Sequence, residues 1–166
     1  VRSIKFKILS NAKMYGYKPK LIQPVLFRGL GEINIGKNVY IGIAGNPYYF
    51  STYGYIEVRN STSKVRIGNN VGINNNFSII CNRTNIEIGN NCSIGANVTI
   101  IDSDFHSLNP AKRLKNIEGE NKSVIIGDNV FIGNNVSINK GVKIGSNSVI
   151  GAKSVVLKEI PPNVIA

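Results

Sequence analysis

Residues 124–158 read VIIGDNVFIGNNVSINKGVKIGSNSVIGAKSVVLK, and in them Ile126, Ile132, Ile138, Ile144, Ile150 and Val156 recur every six residues without a break. Two positions before each stands a small or branched residue: Val124, Val130, Val136, Val142, Ser148 and Ser154. In an extended segment, residues two apart point to the same side. Each hexad therefore reads as one short strand with two inward side chains, followed by a turn. Gly and Asn fill the turns, as in IGDN, IGNN and IGSN, and these residue types tolerate positive φ best. A period of six is too short for a helix pair or a hairpin. Three such strands per coil make a triangular prism, with aliphatics stacked inside and each backbone group paired to the next coil.

Shorter runs extend the pattern backwards: Ile88, Ile94 and Ile100, then Ile67, Ile73 and Ile79, then Ile35 and Ile41. Period, Gly and Asn all agree on a parallel solenoid. The breaks are as informative. The period fails between Ile41 and Ile67, through GNPYYFSTYGYIEVRNSTS, and the step from Ile79 to Ile88 is nine. The longest break, IDSDFHSLNPAKRLKNIEGENKSV, separates Ile100 from Ile126. A segment of that length in a compact solenoid is usually functional or disordered. It is expected to protrude as a loop near 102–122. Residues 1–28 carry no repeat and read as a short helix or irregular cap. Pro161 and Pro162 in EIPPNVIA end the repeat, since paired prolines cannot continue a ladder. The expectation is one all-β domain across residues 1–166: a β-helix with an irregular N-terminal cap and a protruding loop.

Composition fits this. The chain has 166 residues, 42% of them hydrophobic, enough for a continuous core in one domain. No apolar stretch is long enough to cross a membrane, and VRSIKFKILSNAK does not read as a signal peptide. The net charge is +11, a balance that suits nucleic acid, anionic membrane, acidic polysaccharide or a phosphorylated cofactor. Lys and Arg look scattered, and neither a nucleic-acid module nor a basic helix is present. Cys81 and Cys92 lack metal-type spacing, and Cys92 takes a core position of the repeat.

The one histidine, His106, lies in the longest break, within DSDFHSLNP. Imidazole alone among side chains has an unperturbed pKa near neutral. A free hydroxyl keeps its proton at pH 7, so its attack on a thioester needs a positioned base. The same proton then reaches the departing thiolate. Asp102 and Asp104 flank the histidine and are candidates to hold its tautomer, although Asp is also a common turn residue.

On these residues the chain resembles the hexapeptide-repeat acetyltransferases, in the branch of galactoside, maltose and bacterial polysaccharide O-acetyltransferases. The resemblance rests on IGNNCSIGANVTIIDSDFHSLNP and VIIGDNVFIGNNVSINKGVKIGSNSVIGAKSVVLKEIPPN, about the last 80 residues. It implies a left-handed β-helix and a homotrimer with an active site between each pair of neighbouring prisms. Acetyl-CoA lies in a groove between subunits and a carbohydrate acceptor attacks it directly, with no acyl-enzyme and no required metal. His106 matches the catalytic base, with Asp104 beside it. The acceptor-contacting asparagine falls on Asn76, or one residue earlier on Asn75. The CoA-contacting positions fall on Asn134, Ala152, Leu157 and Lys158. Phe131 stands where many relatives have Trp. A Phe ring stacks but cannot donate a hydrogen bond, which points to a different acceptor. The aromatic stretch Tyr48, Tyr49, Phe50, Tyr53 and Tyr55 departs from the sugar acetyltransferases and reads as subunit packing or a sugar platform.

Several rivals share the fold. An N-acetyltransferase of a nucleotide-linked amino sugar often carries a preceding nucleotide-binding domain, and no such pattern precedes this solenoid. Serine acetyltransferase adds a helical domain that is absent from this sequence. An antibiotic acetyltransferase shares both fold and histidine. A zinc carbonic anhydrase needs three histidines at its metal, which His106 alone does not supply. A non-catalytic glycan-binding solenoid would not need the histidine and the CoA-groove pattern together. The expected setting is the bacterial cytoplasm, where acetyl-CoA is available, with the inner face of the membrane as the alternative.

Overall fold

The computed structural model describes residues 2–115 and 118–166. After helix α1 (Arg2–Leu9), the chain winds through six coils of three short strands each. The first coil holds β1 (Lys13–Gly16), β2 (Lys20–Leu21) and β3 (Val25–Gly29), and the second holds β4 (Glu32–Ile35), β5 (Tyr40–Ile41) and β6 (Gly54–Val58). The third holds β7 (Lys64–Ile67), β8 (Gly72–Ile73) and β9 (Ser78–Cys81), and the fourth β10 (Asn85–Ile88), β11 (Ser93–Ile94) and β12 (Thr99–Ile101). A four-residue helix, α2 (Pro110–Arg113), sits in the long loop that follows. Then come β13 (Val124–Ile126), β14 (Phe131–Ile132) and β15 (Ser137–Ile138), and finally β16 (Lys143–Ile144), β17 (Val149–Ile150) and β18 (Val155–Val156). Every third strand joins one parallel sheet, giving three six-stranded faces. We call the faces begun by β1, β2 and β3 the first, second and third. The architecture is a left-handed β-helix of the hexapeptide-repeat kind.

The core is three columns of aliphatics. On the first face Ile35, Ile67, Ile88, Ile126 and Ile144 lie in register, and on the second Ile41, Ile73, Ile94, Ile132 and Ile150. On the third, Ile56, Ile79, Ile100, Ile138 and Val156 do the same. All are buried, each side chain contributing on the order of 2 kcal/mol of transfer free energy. Val124, Val130, Val136, Val142 and Ser148 are buried beside them, as period-two alternation requires.

The turns divide their work differently from the sequence expectation. Among the described residues, nine of the twelve non-glycine residues with positive φ are asparagines. They stack across coils: Asn38 donates to Asn70, Asn70 to Asn91, Asn76 to Asn97 and Asn97 to Asn135. Most repeat glycines do not use positive φ; Gly42 (95°) and Gly141 (76°) do, whereas Gly68, Gly89, Gly95, Gly127, Gly133 and Gly145 do not. A Cβ on Gly127 would lie 2.7 Å from the Ser146 backbone nitrogen, and one on Gly133 2.6 Å from that of Ala152. They are glycines because the next coil passes too close for a side chain.

The cap expected over residues 1–28 resolves into α1 and, from Lys13, a complete coil. Its inward residues Met14, Leu21, Val25 and Phe27 are not evenly spaced isoleucines, so the hexad pattern hides it. Met14 nevertheless registers with Ile33, and Leu21 with Ile41.

Candidate active site

Between β12 and β13 the chain leaves the prism at the corner joining the third and first faces. This loop includes residues 116–117, which lie outside the described residues. Its root is fixed by Asp102, which is fully buried. The Asp102 carboxylate accepts from the backbone N–H groups of Asn82 (2.7 Å), Arg83 (3.2 Å) and Thr84 (3.0 Å), and from the Thr84 hydroxyl (2.8 Å). Residues 82–84 are the extra ones that stretch the Ile79–Ile88 step to nine. They form a cup around the carboxylate, so Asp102 serves the loop's anchorage and not the imidazole.

Asp104 is likewise engaged elsewhere. Its carboxylate pairs with Lys140 at 3.4 Å, and Lys140 also donates to Glu120 at 2.7 Å. Glu120 pairs in turn with Lys122 at 2.8 Å. Bonds from Lys122 and Lys140 hold the Glu120 carboxyl down at about 2. On the other flank Asn82 donates to Glu118 and to Asn121, and Arg83 pairs with Glu118 at 2.7 Å. Ionic contacts thus tie the loop to the third and fifth coils.

His106 sits on this braced segment. Its backbone N–H donates to the Asp104 carbonyl at 2.6 Å. Phe105 before it adopts φ 58°, a conformation that costs a bulky residue and persists only where surroundings impose it. Here the Phe105 N–H donates to the Ser103 hydroxyl at 2.8 Å, and its ring lies 4.8 Å from the guanidinium of Arg59 in the second coil. Arg59 is itself held by both carboxylate oxygens of Glu57, at 3.2 and 3.0 Å. The returning strand passes so close that a Cβ on Gly119 would lie 2.5 Å from the His106 carbonyl oxygen. The backbone is thus fixed while the imidazole is exposed and bonds to no described residue. Neither cysteine competes as a nucleophile: burial, with Asp102 adding to it, pushes the Cys81 thiol up to about 12, and burial raises Cys92 as well.

The other residues singled out in the sequence fall into two groups. Leu157 and Lys158, both exposed, follow β18 at the same corner as the His106 loop, two coils further on. Asn76, Asn134 and Ala152 lie at a different corner, between the second and third faces. There the Asn134 side chain accepts from the Ala96 N–H at 2.7 Å, and Asn76, at φ 61°, is a rung of the asparagine stack. Asn75 is fully buried and clamps the 43–53 insertion through the Ile43 and Pro47 carbonyls. Phe131 projects from the second face, half exposed, into an open hollow of about 600 Å³ that Tyr40, Asn134 and Ala152 also line. One chain therefore does not bring His106 and Asn76 together. Of the aromatic stretch, Tyr53 stacks on Phe6 of α1 at 4.5 Å, and Phe50 is 81% exposed. Arg59, Asn82, Glu118 and Lys140 brace the site, and nothing in the sequence names them as partners of the loop. Arg59, Asn82 and Glu118 do lie where the period breaks, whereas Lys140 stands inside the unbroken run.

Among the described residues, no three His, Cys, Asp or Glu side chains cluster to hold a metal ion. No helix is long and apolar enough to cross a membrane.

The comparisons agree with this architecture. A family profile described as bacterial transferase hexapeptide (six repeats) matches residues 123–158. No curated protein sequence matches. Among solved structures, a galactoside acetyltransferase in complex with coenzyme A is 38% identical, covering 80% of this chain and 58% of its own, with a TM-score of 0.62. A polySia-specific acetyltransferase is 30% identical over 91% of this chain and 64% of its own, with a TM-score of 0.58. A maltose O-acetyltransferase from Clostridium difficile 630 is 27% identical over 99% of this chain and 68% of its own, with a TM-score of 0.51. The chain spans about three fifths to two thirds of the length of these proteins. It has the hexapeptide-repeat acetyltransferase fold and is related to the galactoside, maltose and polysaccharide O-acetyltransferases.

Proposed function

We propose that this chain transfers an acetyl group from acetyl-CoA to a hydroxyl of a sugar or bacterial surface-polysaccharide precursor, with His106 as general base. The observation that carries this reading is the single exposed imidazole, held on a loop braced from the second, third and fifth coils. The galactoside, polySia-specific and maltose relatives supply the reaction class and the carbohydrate acceptor. In the reaction, the imidazole accepts the hydroxyl proton as the oxygen attacks the thioester carbonyl carbon. The carbon–sulfur bond then breaks, and the imidazolium returns the proton to the CoA thiolate. The acceptor leaves as its acetyl ester and the donor as free CoA, with no acyl-enzyme.

The two-corner arrangement supports a homotrimer. His106, with Leu157 and Lys158, forms one half-site. Asn76, Asn134, Ala152 and Phe131 form the other, on the corner and face that a neighbouring prism would present to it. Acetyl-CoA then lies in the seam, against the hollow beside Phe131, and Asp104 acts through the loop rather than on the imidazole. The bacterial cytoplasm supplies the donor in this reading.

The test is release of CoA from acetyl-CoA with a panel of sugars, glycans and amino sugars, followed by identification of the product linkage. Ester formation at a sugar hydroxyl is the expected result. Amide formation alone would overturn the O-acetyl reading, and no turnover with any acceptor, together with no binding of acetyl-CoA, would overturn the enzyme reading.

A further inference from the structure

The cations are not spread evenly along the fold. Residues 1–31 hold seven of the twenty, Arg2, Lys5, Lys7, Lys13, Lys18, Lys20 and Arg28, and none of the nine acidic residues. Seven of the eleven net charges therefore sit on α1 and the first coil. Lys37 extends this patch: its ammonium lies 5.3 Å from the Tyr17 ring, and that of Lys20 lies 5.7 Å from the Tyr40 ring.

At the same end of the prism the described residues include several exposed aliphatics. Ile33 and Ile41 are fully buried, yet their register partners in the first coil, Met14 and Leu21, are 41% and 44% exposed. Helix α1 packs chiefly on β3 of the third face, where Val25 and Phe27 are buried. It leaves Ile4 and Ile8, one turn apart, 63% and 76% exposed. Between helix and coil lies a hollow lined by Lys7, Ser10, Met14, Lys18, Leu21 and Phe27. The opposite end differs: there the tail runs back across the prism, Ile160 pairing with Ile144 and packing on the core. Helix α1 and the first coil thus present exposed aliphatics among lysines.

We propose that this end docks on an anionic phospholipid bilayer. Ile4, Ile8, Met14 and Leu21 enter the headgroup–acyl boundary, and the lysines extend their stems along the apolar surface to reach lipid phosphates. Charge decides against a second copy stacked end to end, which would oppose two surfaces of seven cations each. An acidic polymer would match the charge and leave the aliphatics in water. Ile4, Ile8, Met14, Leu21 and Lys18 are no part of the acetyl-transfer site, and only Lys20 reaches its rim, at Tyr40; vesicle binding is read without turnover, so the surface stands or falls separately.

The experiment is co-sedimentation of the chain with phosphatidylcholine vesicles, with and without phosphatidylglycerol, at low and high salt. Binding is expected with phosphatidylglycerol alone and is expected to weaken with salt. The pair Ile4→Asp, Ile8→Asp and the pair Lys18→Glu, Lys20→Glu should each weaken it by about tenfold or more. Lys143→Glu, at the other end of the prism, should leave it unchanged. Circular dichroism and thermal melting establish that each variant is folded. Equal binding to neutral vesicles, no binding to either, or loss with the lysine pair but not the isoleucine pair would overturn the proposal. So would self-association in sedimentation velocity that the isoleucine pair abolishes.

Discussion

At the scale of the residue, two small side chains that look interchangeable in the repeat do separate jobs. Asparagine takes the left-handed corner and spends its amide on the next coil's amide, as Asn129 does with Asn147 at 3.0 Å. Glycine supplies clearance. Gly127→Ala would place a methyl 2.7 Å from a backbone nitrogen, and the overpacking should cost about 1–3 kcal/mol. At Gly72 a Cβ meets nothing within 4 Å and the φ is ordinary, so Gly72→Ala should stay within about 0.5 kcal/mol of the wild type. Denaturant unfolding of the two variants checks this. Equal losses would mean that backbone freedom, not clearance, selects glycine at these two positions.

At the scale of the element, the His106 loop is held by contacts that cross coils. Glu120 is the hub, with its carboxyl held near 2 by Lys122 and Lys140. A depressed carboxylate contributes above its ordinary range and loses that contribution as pH falls through its folded value. The tether is therefore complete through neutral and mildly acidic pH and releases only near pH 2. Removing it by Lys140→Met should speed tryptic cleavage at the exposed Lys112, Arg113 and Lys115 of the loop. Unchanged cleavage would show that the Asp102 cup alone holds the loop. These braces also explain what the sequence showed and what it hid. Ile126 through Val156 betrayed the prism because each strand repeats locally, and His106 stood out because it interrupts that repeat. Lys140, Arg59 and Asn82 stayed invisible because their partners Glu120, Phe105 and Glu118 lie 20 to 46 positions away in the chain. The first coil stayed hidden because Met14, Leu21 and Phe27, which stand in register with core isoleucines of the second coil, keep no even period.

At the scale of the whole molecule, the candidate residues form two half-sites on separate corners of one prism. If neighbouring chains complete each other, two inactive variants should rescue each other when they assemble together. Ala152→Trp would fill the hollow beside Phe131, and His106→Ala would empty the other corner. Randomly mixed trimers of the two should recover about a quarter of the wild-type activity, because each site then needs one intact half from each parent. Activity no greater than that of either parent would place the whole site within one chain.

The central claim is that His106 takes the acceptor proton, and the most direct test is the rate of CoA release from acetyl-CoA at saturating acceptor for the wild type and His106→Ala. The account expects the variant to bind acetyl-CoA as the wild type does and to lose ~10²-fold or more in kcat. A variant that acetylates the same acceptor at the wild-type rate would contradict it, and the base would have to be sought elsewhere on the prism.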